Sequence, residues 1–205
     1  GAGEEARRPH PRHKELARLL LERGADPFDV QVFYNLHFAH DIVWYLQLAY
    51  DVSVARGRTA DWADPEWRMI DMGGYGWGAR WLLGAAVEQH NLELAEWMLA
   101  HGANPNPGPP TSPKMRSDTI RDRAMAHGYT DFADLLVCHG ATPRAGPADD
   151  EGAFIAASLR VDGAALRAML AAQPEYLRSP RALHAAATLD RPDAARLLLD
   201  LGTSI

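Results

Sequence analysis

Four stretches of this chain end in the same way, and that recurrence constrains the fold more than any other feature. Leu20-Leu21-Glu22-Arg23-Gly24, Met98-Leu99-Ala100-His101-Gly102, Leu136-Val137-Cys138-His139-Gly140 and Leu198-Leu199-Asp200-Leu201-Gly202 align position for position. Each closes a segment with apolar residues at helical spacing, as in Leu94, Trp97 and Met98, and so predicts an amphipathic helix. A glycine adopts the left-handed backbone that ends a helix without a Cβ clash. In the first three, a proline three residues later prevents the helix from resuming.

A shorter helix rich in small residues is predicted before each of the later segments. Arg80–Gln89 carries Gly84-Ala85-Ala86, Thr119–His127 carries Ala124 and Ala126, Gly152–Arg160 carries Ala156-Ala157, and Arg181–Leu189 carries Ala185-Ala186-Ala187. Small residues let paired helices approach closely. The marker glycines Gly102 and Gly140 lie 38 residues apart, and Gly140 and Gly202 lie 62 apart, which is room for one repeat and then two. The missing marker falls near Gln173-Pro174, after a predicted second helix over Ala164–Gln173. A further repeat is predicted between Asp29 and Gly57, with helices near Val30–Phe38 and His40–Ala55.

Paired helices ending in Leu-Leu-x-x-Gly-Ala-x-Pro resemble ankyrin repeats. The first helix that fits best is Arg181-Ala182-Leu183-His184-Ala185-Ala186-Ala187, similar to the family's Thr-Pro-Leu-His-x-Ala-Ala. Trp81-Leu82-Leu83-Gly84 and Thr119-Ile120-Arg121-Asp122 depart from it. The expected fold is all-α, an ankyrin-type solenoid of about five repeats forming a single domain over 1–205. A partial first repeat covers 1–28, broken by Pro9 and Pro11, and a degenerate repeat covers 29–56. An aromatic, glycine-containing loop covers 57–79, and repeats follow at 80–106, 118–144, 150–176 and 180–205. The resemblance implies that His184 hydrogen-bonds within its repeat turn. It also implies a binding surface made of hairpin tips and first helices.

Composition removes several function classes. With 21 basic and 27 acidic residues the net charge is −6, which argues against a polyanion partner such as nucleic acid. One cysteine, Cys138, excludes an internal disulfide framework. No apolar run is long enough to predict a membrane span. The reduced thiol and the absence of a signal-peptide pattern lead to a cytoplasmic expectation. Arginine outnumbers lysine 19 to 2, the bias of a GC-rich, bacterial genome. A start at Gly1-Ala2-Gly3 and an end just past Gly202 lead to the expectation that the natural chain is longer, or that its C-terminal end meets another chain.

Chemical candidates are few. His37, His40 and Asp41 have a spacing that metal ligands use, against the plainer reading of a helix junction. His101 and His139 suit the negative end of a helix dipole. Cys138, His139 and Asp134 share one helix, whereas a nucleophile and its base converge from different elements. Asp61, Asp64, Glu66 and Asp71 read as a solvated loop. Gly73-Gly74-Tyr75-Gly76-Trp77-Gly78 is glycine-rich but lacks the lysine of a phosphate loop, although Arg80 keeps an anion site open. No catalytic group, cofactor or metal is predicted.

The aromatic residues crowd between Phe33 and Trp77. A loop of over twenty residues carrying Trp62, Trp67, Tyr75 and Trp77 is too aromatic for disorder, so it either seals the stack or anchors a partner. The leading expectation is a non-catalytic protein–protein interaction module. Its candidate contacts are Trp62, Trp67, Tyr75, Trp77, Arg80, Glu88, Gln89, Asp118, His127 and Arg160. The stretch Asn104–Pro113 is expected to be a proline-stiffened hairpin tip. The alternatives are a small-ligand or metal site built by the insertion around His37, His40 or Arg80, and a structural segment of a larger ankyrin protein.

Overall fold

A computed structural model describes residues 10–36, 41–110, 112–113, 118–142 and 150–203, and these are all-helical apart from turns and one isolated bridge. No helix among them is long and apolar enough to cross a membrane. The chain forms two compact units, Gly1–Arg116 and Ser117–Ile205.

The first unit contains α1 (His13–Glu22), α2 (Val30–Leu36), α3 (Val43–Ala55), α4 (Thr59–Trp62), α5 (Gly78–Glu88) and α6 (Leu92–Ala100). Helix α3 is apolar on nearly every face, which is the pattern of a helix enclosed by others. It packs against α1, α4 and α6 and buries Tyr45, Leu46, Leu48 and Ala49. Helix α1 buries only Leu21 fully and leaves Leu16, Leu19 and Leu20 about half exposed. Helices α5 and α6 pair directly through Leu82, Leu83, Ala86, Leu94, Ala95 and Met98.

The second unit contains α7 (Ile120–Ala126), α8 (Thr130–Cys138), α9 (Asp150–Leu159), α10 (Gly163–Ala172), α11 (Arg181–Thr188) and α12 (Pro192–Asp200). Helix α9 is its hub and packs against α7, α10, α11 and α12. Phe154, Leu166 and Leu198 share one core with Ala157 and Ala182, while Leu159 closes over Ala186 and Ala194. The alanines give the thin interface that the small-residue pattern predicts. Asp193 opens α12 and is held down to about 2, chiefly by its hydrogen bond from Arg191 and then by the Ala194 amide.

The helix pairs turn by one recurring device. The first helix of each pair ends at a residue with positive φ, namely His90, Gly128, Val161 and Asp190. The next amide then reaches back five residues, in Asn91 to Ala86, Tyr129 to Ala124, Asp162 to Ala157 and Arg191 to Ala186, at 2.8–3.0 Å. The second helices close in the same way over the marker glycines, in Ala25 to Leu20, Ala103 to Met98, Ala141 to Leu136 and Thr203 to Leu198. These are Schellman-type closures, which satisfy carbonyls that a helix end otherwise leaves bare. After α10 the device is absent. Gln173 is extended at φ −138° and a 3₁₀ turn, Pro174–Arg178, follows, at the place where the marker glycine is missing.

α2 and α3 lie inside the helix spans predicted near Val30–Phe38 and His40–Ala55. His184 departs from its expected role. It is exposed, and its Nδ1 lies 3.3 Å from Thr188 Oγ1 one turn along its own helix, so it ties no turn together.

Two substitutions test the turn device in opposite directions. A Cβ on Gly128 would stand 2.9 Å from Leu159 Cβ at a φ of +78°. Gly128→Ala is expected to cost about 1–3 kcal/mol in urea unfolding, from the left-handed backbone and the clash together. Val161 is a β-branched residue held at φ +58° and exposed. Val161→Gly relieves that strain and is expected to raise stability by about 1 kcal/mol.

Candidate functional site

The insertion between α3 and α5 is a folded element. After α4 the chain bends through Asp64–Ile70. It then forms a 3₁₀ turn at Gly73–Tyr75, with Asp71 and Trp77 bridged antiparallel, and enters α5 at Gly78. Local bonds hold it. Asp64 accepts from the Glu66 and Arg68 amides and pairs with the Arg68 guanidinium, Asp61 pairs with Arg58, and Asp71 accepts from the Gly73 amide. The amides of Gly76 and Gly78 donate to Gly73 O and Trp67 O. These amides are turned into the loop's own turns and do not point at a phosphate. Gly78 has a packing reason as well, since a Cβ there would stand 2.8 Å from Ile70 Cβ.

Two of the tryptophans named as candidate contacts are core residues. Trp62 is 4 % exposed and Trp67 0 %. Their rings join a run of edge-to-face contacts at 5–6 Å that links Phe28, Tyr50, Trp62, Trp67 and Trp97, a geometry aromatic quadrupoles favour. His101 finishes the cluster, stacked on Trp97 at 3.8 Å with Nδ1 2.7 Å from Trp97 O. Trp97 Nε1 donates to Gln47 at 2.9 Å. By contrast, the indole nitrogens of Trp62 and Trp67 are buried without an acceptor. Trp67 also holds a left-handed φ of 52°. Burial of two large rings outweighs both penalties, since an indole removed from water stabilises by several times the cost of one strained residue.

Arg80 is likewise not surface: it is 5 % exposed, and its guanidinium donates to Gly108 O at 3.4 Å. It belongs to a set of contacts that ties the proline-rich strap 104–110 down onto the insertion. The Asn104 amide donates to Pro65 O at 2.8 Å. Glu66 accepts from Asn104 Nδ2 at 2.7 Å with one oxygen and from the Gly108 amide at 3.0 Å with the other. The Ser112 amide donates to Gly74 O at 3.1 Å. The proline-stiffened stretch is therefore docked on the insertion, and the carboxylate Glu66, read from sequence as one of a solvated group, holds it.

What the insertion leaves at the surface is an aromatic patch. Tyr75 is 42 % exposed and sits edge-on to Trp81 at 4.8 Å; Tyr34 is 40 % exposed and lies parallel to Trp81 at 6.3 Å. Trp77 is half-buried nearby in sequence. Tyr34 and Trp81 were not among the residues the sequence singled out. They come from α2 and α5, and only the pairing of those helices with the insertion brings them to Tyr75. Of the remaining candidates in this unit, Glu88 is exposed and Gln89 half-buried at the end of α5.

In the second unit, Asp118 pairs with Arg123 at 3.3 Å, His127 caps α7 with its ring edge-on to Tyr129, and Arg160 follows α9. All three are half-buried, and Leu159 beside Arg160 is fully buried. Cys138 is exposed at the end of α8. His37 and His40 lie outside the described residues; Asp41 is bonded to Lys14 at 2.9 Å. Comparison with known proteins gives no matching family model, no matching curated protein and no matching solved structure.

Two outcomes follow. Trp67→Ala is expected to cost about 3–5 kcal/mol in urea unfolding. Trp67→Phe should cost much less, because the lost indole N–H has no acceptor. In Glu66→Ala, amide exchange over 104–112 is expected to quicken at least about tenfold, from the loss of charge-assisted hydrogen bonds, while helical circular dichroism stays unchanged.

Proposed function

We propose that the chain is a non-catalytic protein-interaction module of the ankyrin type, whose partner is gripped by the aromatic patch Tyr34–Trp81–Tyr75 with Trp77 beside it. The observation that carries this reading is the repeated turn. Four helix pairs close by the same five-residue back-bond, at His90, Gly128, Val161 and Asp190, with spacings of 38, 33 and 29 residues. A backbone device that recurs at such spacings supports a reading as helix-pair repeats, which work by displaying a rigid surface. The exposed tyrosines supply what such a surface needs at its centre, large rings with little rotamer freedom to lose.

In this reading the insertion has two roles. Trp62 and Trp67 anchor it in the core, and that anchoring fixes Tyr75 and Trp77 rigidly at the surface. Glu88 and Gln89 extend the first unit's surface along the end of α5, and Asp118, His127 and Arg160 are the corresponding candidates in the second unit. No cofactor or metal enters the mechanism.

The test is capture from lysate of the source organism by wild type and by Tyr34→Ala with Tyr75→Ala, both at matched melting temperature. A protein retained by wild type and reduced tenfold or more by the double variant is the expected result. Equal capture by both, or no specific capture by either, overturns the reading.

A further inference from the structure

A cleft of about 380 Å³ opens in the first unit, among α1, α2, α3 and the α1–α2 connection. That volume lies in the range of small-molecule sites, and so does its make-up, a mainly apolar wall with a few polar groups. Leu20, Leu36 and Trp44 supply wall. The ionisable groups of the lining are Asp26, Asp29, His13 and Tyr45.

These groups have a definite sign. Asp29 Oδ1 accepts from the Gln31 and Val32 amides at 2.8 and 3.1 Å, which fixes the carboxylate at the start of α2. Asp26 Oδ1 accepts from the Phe28 amide at 3.1 Å. Of the cations nearby, Arg58 bonds Asp61 at 2.8 Å and also pairs with Asp26 at 3.5 Å, Lys14 bonds Asp41, and Arg56 donates to the Leu21 and Ala25 carbonyls; Asp29 takes part in none of these pairs. The ring of His13 stands edge-on to Trp44, with Nδ1 2.7 Å from His10 O. Tyr45 is pushed up to about 12, first by burial and then by Asp29 and Asp26, and its hydroxyl donates to Pro27 O at 3.4 Å.

We infer that this cleft is a binding site for a small organic cation, an amine carried on an apolar or aromatic body. The body fills the Leu20–Leu36–Trp44 wall and the ammonium faces Asp26 and Asp29. Trp44 supplies indole wall to the cleft, and Lys14 Nζ already lies over its ring at 5.1 Å from the centre. The site uses none of the residues assigned to the partner-binding patch, so either proposal stands or falls without the other.

Three probes of one shape and different charge decide it, namely phenethylamine, 2-phenylethanol and 3-phenylpropionate, titrated calorimetrically into the whole chain at pH 7. The expected result is saturable one-to-one binding of the amine with a dissociation constant at or below about 1 mM, which is reasonable for a ligand of that size. The alcohol should bind at least tenfold more weakly and the carboxylate should not bind. Asp26→Asn and Asp29→Asn keep the acceptor oxygens that cap the turns and remove only the charge, and each should weaken the amine about tenfold. The inference is overturned if the amine does not saturate, if the alcohol binds as tightly, or if folded Asn variants bind the amine like wild type. The comparison among probes on wild type stands even where a variant fails to fold.

Discussion

A helix pair is only as good as the reversal that closes it, and in α5–α6, α7–α8, α9–α10 and α11–α12 that reversal depends on one residue in left-handed backbone. The amide that follows it bonds back five residues and satisfies a carbonyl at the helix end. This closure sets the direction in which the next helix leaves, and so decides which face of Leu94–Met98 meets Leu82–Ala86, or which face of α12 meets α11. Where the closure is missing, after α10, the chain takes a 3₁₀ turn instead and the following helix begins later. The packed layers of both units follow from these turns, because a helix of eight to ten residues buries too little on its own to hold its own direction.

The two units build their cores from different materials. The second uses alanine against leucine and phenylalanine, so its helices lie close and each contact is small. The first inserts twenty-odd residues between two helices and fills the space with indole rings. That choice has consequences at the surface. Once Trp62 and Trp67 are locked inside, the chain from Gly73 to Trp77 has little freedom left, and Glu66 with Arg80 fastens the proline-rich strap beside it. Tyr75 is displayed on a rigid base, and a rigid base keeps the ordering cost of binding low.

The same insertion shows why a loop's composition is a poor guide to what it exposes. An aromatic-rich loop reads equally as core or as interface, since tryptophan and tyrosine serve both. Arg80 illustrates the converse. An arginine near a glycine-rich turn reads as an anion site, yet its guanidinium is buried and bonded to a backbone carbonyl. The cleft bounded by Asp26 and Asp29 gives no sequence signal at all. Its members come from three helices and a connection, and each is ordinary by itself.

The helices, their pairing and the marker glycines at 24, 102, 140 and 202 were legible in the residues, because apolar spacing and the need for left-handed backbone act locally and leave a trace in the chain. The other left-handed positions, His90, Val161 and Asp190, were not, because an L-residue endures that conformation when the packing around it insists, and its identity does not announce the strain. Only the tertiary structure decided which rings are core and which are surface. Burial of Trp67 depends on Trp62 and Trp97 from two different helices, and exposure of Tyr75 beside Tyr34 and Trp81 depends on how three elements meet. Those are properties of contacts between distant residues, on which local spacing carries no information.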